Sequence, residues 1–249
     1  MTGIVLAAGM GRRLASLCSG LPKCLLNIGD DFLLAHQASA MSGVGVREIV
    51  VVVGFEANRV MDAVRGVDLP VEWRFIRNPD FAETNTLYSL WLARERLSTS
   101  DVLFANGDVL FDRRLTHRLL RKGKSTMAVD KKRCGEEEVK VLVEESRLVE
   151  IGKHIDPGSA EGEFVGVAFW RKDEGRLIAE ALDGFVAAGR RKDFFESAID
   201  DLLPETPFYI ADVTDLPVVE IDFPEDLRYA RTEILNRILA ETGDGESFC

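Results

Sequence analysis

The chain has 249 residues, of which 46% are apolar and 29% charged, and its formal net charge is −11. This length fits one large α/β domain, and the acidic balance argues against a nucleic-acid-binding protein, because nucleic acid requires Lys and Arg to neutralise its phosphates. No apolar stretch approaches the roughly 20 residues of a membrane helix, and the N-terminus has no signal-peptide pattern, so we expect a cytoplasmic protein without a membrane partner.

Strands and helices alternate in the first half of the chain. Short β-branched runs predict buried strands, and stretches with apolar residues three and four apart predict helices. The predicted strands are residues 3–8, 48–53, 71–76 and 101–105, and the predicted helices are residues 33–41, 56–64 and 86–97. This alternation is typical of a Rossmann-like, doubly wound sheet with mainly parallel strands.

The second half begins with strands that have little helix between them. The predicted strands are residues 125–129, 139–144, 148–151, 164–170, 208–212 and 218–221, and the predicted helices are residues 175–188, 194–202 and 224–240. We therefore expect antiparallel additions to the sheet in this half. With no linker or internal repeat, residues 1–240 are predicted to form a single domain, followed by a frayed polar tail at residues 241–249.

A glycine-rich loop follows the first predicted strand. Gly9 and Gly11 allow a sharp bend whose amides can surround phosphate oxygens. Arg13 and Lys23 add two cations that suit a triphosphate. Leu14 replaces the third glycine of a dinucleotide-binding loop, which disfavours an NAD-dependent oxidoreductase. An ordinary strand-to-helix turn remains the alternative.

Residues 6–14, with the sequence LAAGMGRRL, and Pro22-Lys23 together resemble the opening signature of the nucleoside-triphosphate transferase family. That family makes nucleotide-activated sugars and alcohols, and its signature has Ser or Thr where this chain has Arg12. The resemblance implies that Arg13 and Lys23 are catalytic residues. It also implies nucleotide contacts from the loop and the strand before it, at Leu6, Ala8, Gly9 and Gly11.

Two aspartates each follow a predicted strand. Asp108 stands in an Asn-Gly-Asp stretch that is also typical of a turn, and Asp222 precedes a Pro-initiated helix, where Asp is also a common cap. The family carries Gly-Asp after its fourth strand and a late I-D-x-P-E-D-L motif, and both are present here. The resemblance implies that Asp108 and Asp222 hold one Mg²⁺, with Asp108 also at the nucleotide.

Residues 78–81 and 84–90 resemble the branch of the family that contains phosphocholine, inositol-phosphate and phosphonate cytidylyltransferases. In that branch this segment meets the nucleotide base. The resemblance therefore implies that Asn78, Thr84 and Asn85 bind the nucleotide, with CTP favoured. The alternative is a helix cap at Thr84 or Asn85.

The acceptor side carries weaker signals. The resemblance implies that Lys153 faces the acceptor phosphate, that Glu163 meets acceptor hydroxyls and that Phe195 belongs to an aromatic-acidic segment shaping the acceptor pocket. Phosphocholine enzymes place a Trp in the region of residues 130–138, where this chain has Lys131-Lys132-Arg133. This basic strip favours a more anionic acceptor than phosphocholine, or it is an exposed charged turn.

The sequence thus predicts a GT-A-like, Mg²⁺-dependent cytidylyltransferase. It would transfer CMP from CTP to a small phosphorylated or phosphonylated alcohol and release pyrophosphate. A guanylyl- or uridylyltransferase acting on a sugar 1-phosphate and a non-catalytic nucleotide-binding module remain alternatives. The identity of the acceptor, homodimer formation and membership of a longer bifunctional protein stay open.

Overall fold

A computed structural model of the protein describes residues 1–14 and 20–242. The strands are β1 (Thr2–Ala7), β2 (Asn27–Ile28), β3 (Asp31–Phe32), β4 (Glu48–Val53), β5 (Glu72–Arg77), β6 (Val102–Asn106), β7 (Val109–Phe111), β8 (Thr126–Asp130), β9 (Lys140–Glu144), β10 (Arg147–Gly152), β11 (Gly162–Trp170), β12 (Tyr209–Asp212) and β13 (Val218–Glu220). The α-helices are α1 (Leu33–Ser42), α2 (Ala57–Ala63), α3 (Thr86–Leu92), α4 (Arg94–Thr99), α5 (Arg113–Leu120), α6 (Lys172–Ala187), α7 (Glu196–Asp200), α8 (Pro224–Tyr229) and α9 (Leu235–Thr242).

Within the described residues, nine strands form one sheet in the order β5-β4-β1-β6-β11-β8-β12-β10-β9. Four strands of the first half, β1, β4, β5 and β6, are parallel neighbours in this sheet. Strand β11 pairs antiparallel with both β6 and β8, and β10 pairs antiparallel with β9 and β12. The predicted Rossmann-like mixed sheet, with its antiparallel additions in the second half, is confirmed.

The sheet is covered on both faces, because alternate residues of its strands enter different apolar clusters. Ile4 and Leu6 of β1 pack into one cluster, while Val5 and Ala7 pack into another. This explains why β1 reads as a continuous apolar run. A further cluster joins the first loops to the C-terminal helices, and its members include Leu14, Ile28, Leu33, Leu110, Ile221, Leu227 and Ile234.

Several elements differ from the sequence predictions. The predicted helix 86–97 is two helices that meet at Ala93, and the predicted helix 224–240 contains a π-helical turn over Ala230–Ile234. Helix α5 was not predicted, although the carboxylate of Asp112 caps it by accepting from the amide of Arg114 at 2.9 Å. An Asp before an apolar periodic stretch is a helix-start signal that could have located it.

Helix α9 is the last element in the described residues, and it extends to residue 242, two residues into the predicted frayed tail. The rest of that tail, residues 243–249, lies outside the described residues, as do residues 15–19 of the glycine-rich loop. In the part of the chain that the structure describes, every helix is too short or too polar to cross a membrane.

Candidate active site

The glycine-rich loop and Asp108 are neighbours because β1 and β6 are adjacent parallel strands that end at the same edge of the sheet. The amide of Gly107 donates a hydrogen bond of 2.9 Å to the carbonyl oxygen of Leu6. A Cβ at Gly107 would lie 2.6 Å from that oxygen, so only glycine permits this close approach. The glycine therefore fixes Asp108 beside the loop that follows β1.

A two-stranded ladder brings Asp222 to Asp108. Strand β13 pairs antiparallel with β7, with Glu220 opposite Val109. The amide of Ile221 donates to the carbonyl oxygen of Asp108 at 2.9 Å. Asp108 and Asp222, distant in sequence, consequently lie at one site, as the sequence predicts.

The helix-cap alternative for Asp222 is excluded by the hydrogen bonds at the start of helix α8. The side chain of Asp226 accepts from the amides of Asp222 at 3.0 Å and Phe223 at 2.7 Å. This is the reciprocal half of a capping box, in which an acidic residue reaches back to the start of its own helix. The carboxylate of Asp222 is left to face the site.

Glu220 is a third acidic residue here, and the sequence analysis missed it. The carboxylates of Asp108, Glu220 and Asp222 each present an oxygen, and these oxygens lie within 4.8 Å of one another. Burial, followed by repulsion from Asp108 and Asp222, raises the pKa of Glu220. Alternation along β13 could have revealed it, because residues two apart on a strand share a face.

Two cations balance these carboxylates. The Lys23 ammonium lies 3.2 Å from the carboxylate of Asp108 and also pairs with Asp222, and Arg13 contacts Asp222 at 2.9 Å. Burial lowers the pKa of Lys23, but Asp108 and Asp222 outweigh that effect and raise it overall. Gly11 has a φ of +55°, and a Cβ at this position would lie 2.9 Å from the Cγ of Lys23. The loop thus positions both predicted catalytic residues.

Two adjoining cavities of about 280 and 740 Å³ open at this site. We call Asp108, Glu220 and Asp222 the acidic group. Both cavities are lined by residues of β1 and its loop and by two members of the acidic group, namely Leu6, Gly9, Arg13, Asp108 and Asp222. Gly11 and Lys23 line the smaller cavity, whereas Ala8 lines the larger one. The acidic group therefore stands where the two cavities meet.

On one side of the larger cavity, Thr84 and Asn85 line the wall. Asn85 also caps helix α3, its side chain accepting from the amide of Thr86 at 2.9 Å, so the cap is present as well. Asn78, which the resemblance assigns to the nucleotide, lies behind this wall. It is 2% exposed and does not line either cavity, and its amide donates to the hydroxyls of Thr84 and Ser89, both at 3.1 Å. Asn78 therefore holds Thr84 in place from behind.

On another side of the larger cavity, Lys153 and Glu163 line the wall. The ammonium of Lys153 lies 4.9 Å from the ring centre of Phe194. Burial raises the pKa of Glu163, although the ammonium of Lys132 at 2.6 Å acts against this shift. The predicted basic strip thus contributes Lys132 to an ion pair with an acidic partner.

Phe195, which the resemblance assigns to the acceptor pocket, has a fully buried side chain that packs against Phe104 and Trp170 in the core. Its neighbours Phe194 and Glu196 line the larger cavity instead. Glu196 is only 4% exposed, and its Oε2 has no hydrogen-bond partner among the described residues. Burial raises the pKa of Glu196 from its ordinary 4.5 to about 7.

This raised pKa makes stability depend on pH. Because the folded protein holds the Glu196 proton more tightly than the unfolded chain does, stability falls as pH rises from 4.5 through about 7. Between pH 5.5 and 8 the loss amounts to roughly 2 kcal/mol. The glutamine of Glu196→Gln cannot ionise. Over this pH interval the free energy of unfolding of the variant, measured in urea, is therefore expected to fall by roughly 2 kcal/mol less than that of the wild type. The exposed variant Glu205→Gln should match the wild type, and an unchanged pH dependence in Glu196→Gln would contradict the assignment.

Comparison with known proteins identifies the family. The family described as MobA-like NTP transferase domain matches residues 3–173. Choline-phosphate cytidylyltransferase of Streptococcus pneumoniae is 27% identical over 231 residues, which are 92% of this chain and 96% of that protein. CMP-5'-(3-aminopropyl)phosphonate synthase of Streptomyces rubellomurinus is 30% identical over 238 residues, 91% of this chain but 38% of that longer protein.

The fold is similar to that of a solved CTP transferase. The solved inositol-1-phosphate CTP transferase from T. maritima superposes with a TM-score of 0.78 at 23% identity, covering 100% of this chain and 98% of that one. The resemblance seen in the motifs is thereby confirmed. The chain belongs to the family of MobA-like NTP transferase domains and is a nucleotidyltransferase.

Proposed function

We propose that the chain is a Mg²⁺-dependent cytidylyltransferase that transfers CMP from CTP to a small phosphorylated or phosphonylated alcohol and releases pyrophosphate. The observation that carries this proposal is the meeting of three carboxylates and two cations where two cavities adjoin. One cavity has the glycine-rich loop that suits a triphosphate, and the other has room for a second substrate. The choice of CTP is supported by the similarity to choline-phosphate cytidylyltransferase and to the inositol-1-phosphate CTP transferase.

The acidic group fits a hard divalent cation. Asp108, Glu220 and Asp222 offer oxygen ligands alone, which is the donor set that Mg²⁺ prefers in combination with phosphate oxygens and water. Burial and then repulsion from the two aspartates raise the pKa of Glu220, and a positive charge between the three carboxylates relieves that repulsion. When bound, the cation supplies neutralisation of the charge that develops at the reacting phosphate.

The protein's own residues align and neutralise the reactants. In the proposed reaction an ionised acceptor oxygen forms a bond to the α-phosphorus of CTP while the bond from that phosphorus to the bridging oxygen breaks, and the electron pair leaves with pyrophosphate. A general base is not needed, because the attacking oxygen carries no proton. In this reaction Lys23 and Arg13 neutralise the transferring phosphate, and the amides near Gly9 and Gly11 bind the adjacent phosphates of the triphosphate.

Lys153 and Glu163 form the proposed acceptor wall, and Thr84 and Asn85 the proposed base contacts. Four further features stay predictions: a cytoplasmic location, a homodimer, the absence of nucleic-acid and membrane partners, and the single-domain boundary at residue 240.

A matrix of nucleotides and acceptors tests this proposal. Pyrophosphate release is measured with Mg²⁺ and each of CTP, GTP, UTP, ATP and dTTP, against phosphocholine, inositol phosphate, 2-aminoethylphosphonate, glycerol phosphate and several sugar 1-phosphates. We expect CTP to exceed every other nucleotide by at least about 10-fold in kcat/KM with the preferred acceptor. A preference for GTP or UTP with a sugar 1-phosphate would select the alternative transferase. Nucleotide binding without turnover would select the non-catalytic module.

A further inference from the structure

An acidic side chain from the loop between β8 and β9 connects two parts of the wall of the larger cavity. The Oε2 atom of Glu137 lies 3.2 Å from the guanidinium of Arg13 and 3.8 Å from the ammonium of Lys153. Arg13 belongs to the glycine-rich loop, whereas Lys153 directly follows β10. All three side chains line the larger cavity. One carboxylate oxygen therefore joins the reaction centre to the proposed acceptor wall.

The loop that carries Glu137 is held from inside by a buried lysine. The ammonium of Lys140, which is fully buried, donates to the carbonyl oxygens of Gly135, Glu136 and Glu138, each at 3.2 Å. The side chain of Glu138 also accepts from the amide of Gly135 at 2.8 Å. A desolvated ammonium with three acceptors orders the backbone on both sides of Glu137. The fold of this loop thus fixes where Glu137 stands, although its side chain is exposed.

The place that Glu137 occupies suits the anionic group of the acceptor. In the proposed reaction Arg13 neutralises the transferring phosphate and Lys153 belongs to the acceptor wall, so the attacking phosphate or phosphonate group lies near both cations. The carboxylate of Glu137 puts two oxygens and one negative charge at that place. Two anions that share one pair of cations repel each other. The carboxylate and the acceptor group therefore exclude one another.

We propose that Glu137 is an internal competitor of the acceptor, whose phosphate or phosphonate group displaces the carboxylate from Arg13 and Lys153 when it binds. This inference rests on the proposed function. In the free enzyme the carboxylate neutralises both cations. In the complex with CTP and acceptor, the Glu137 side chain turns to solvent and the acceptor takes over its contacts. Glu137 consequently sets the concentration at which the acceptor saturates the enzyme and has no part in the chemical step.

The contact is weak enough to be displaced. Arg13 and Glu137 are exposed and Lys153 is half-buried, and ion pairs so open to solvent are individually weak. An acceptor group with two negative charges attracts the same cations more strongly than a carboxylate with one. A carboxylate that holds the site for about 70 to 90% of the time lowers the apparent affinity for the acceptor by about 3- to 10-fold, because only the open fraction binds.

The variant Glu137→Gln tests this proposal, because it keeps the shape of the side chain and removes its charge. With saturating CTP and Mg²⁺ at pH 8, the KM for the acceptor preferred in the matrix of substrates should fall by about 3- to 10-fold. The value of kcat should stay within about two-fold of the wild type, because a saturating acceptor has already displaced the carboxylate. Sulfate, a dianion shaped like phosphate, should compete with the acceptor, and its inhibition constant should fall by the same factor.

Glu136→Gln is the matched control, since Glu136 is the exposed neighbour of Glu137 and lines neither cavity. It should keep the wild-type KM and inhibition constant. The inference is overturned by an acceptor KM that stays unchanged or rises in Glu137→Gln. It is also overturned by a fall that is confined to the KM for CTP or that the inhibition constant for sulfate does not share. In each of these cases turnover of CTP leaves the proposed function standing, whereas absence of pyrophosphate release with every acceptor overturns both.

Discussion

Replacing Asp108 or Asp222 with alanine is expected to lower Mg²⁺-dependent pyrophosphate release by at least about 1,000-fold. Each carboxylate belongs to the group of oxygens that lie within 4.8 Å of one another, so its loss removes a ligand and leaves Lys23 paired to a single aspartate. Removing either side chain does not disturb the core, because both are partly exposed. The fold should therefore persist.

Turnover with saturating CTP and binding of Mn²⁺, followed by electron paramagnetic resonance, together measure this effect. Mn²⁺ affinity should fall with turnover in both variants, which separates loss of the ion from loss of acceptor binding. Glu225→Ala is the control, because Glu225 is an exposed carboxylate near Asp222 that lines neither cavity. Near-normal turnover in Asp108→Ala or Asp222→Ala would refute the metal assignment.

Lys23→Ala is the second variant for which a large loss is expected, about 100- to 1,000-fold in kcat. The Lys23 side chain is 15% exposed, and its ammonium lies between Asp108 and Asp222. In this partly desolvated position a positive charge stabilises the transferring phosphate more than it would in water. Because that charge acts on the transition state, kcat and kcat/KM should fall together.

The comparison variant for Lys23 is Lys122→Ala, which removes an exposed lysine that lies outside both cavities. Its turnover should stay within about two-fold of the wild type, as is usual for exposed surface positions. Single-turnover measurements at saturating CTP distinguish slower chemistry from weaker binding. If Lys23→Ala turns over at the wild-type rate, Lys23 has no part in the reaction.

Motifs tied to strand ends were predictable from the sequence. The short apolar runs before Gly9 and Asp108 are buried parallel strands, and the ends of adjacent parallel strands meet at one edge of the sheet. Gly107 is required by the close approach of the Leu6 carbonyl oxygen, and Gly11 by its positive φ beside the Lys23 side chain, so both glycines were informative before any geometry was known. The meeting of Asp108 with Asp222, in contrast, followed from the family resemblance rather than from the local pattern.

The directions of the side chains at the start of helix α7 could not be predicted from the sequence. Phe194, Phe195 and Glu196 are consecutive, and which of them faces the cavity is decided by the packing of Phe195 against Phe104 and Trp170. Those aromatic partners come from strands far away in sequence. The family resemblance assigned Phe195 to the pocket and did not single out the buried carboxylate of Glu196 next to it.

Asn78 shows the same limit at the other side of the site. Its position in a matching motif indicated a ligand contact, but its amide is used by the hydroxyls of Thr84 and Ser89. A buried amide that orders a loop and one that binds a base have the same sequence context, because both occur beside the residues that line the pocket. Only the hydrogen-bond partners tell them apart.

The pairing of β13 with β7 has a consequence for biosynthesis. Asp108 is synthesised well before Glu220 and Asp222. A polypeptide that stops before Val218 contains β1, β4, β5, β6 and the glycine-rich loop, yet it holds one of the three acidic residues. We therefore expect a polypeptide that ends before Val218 to lack the site for the divalent cation.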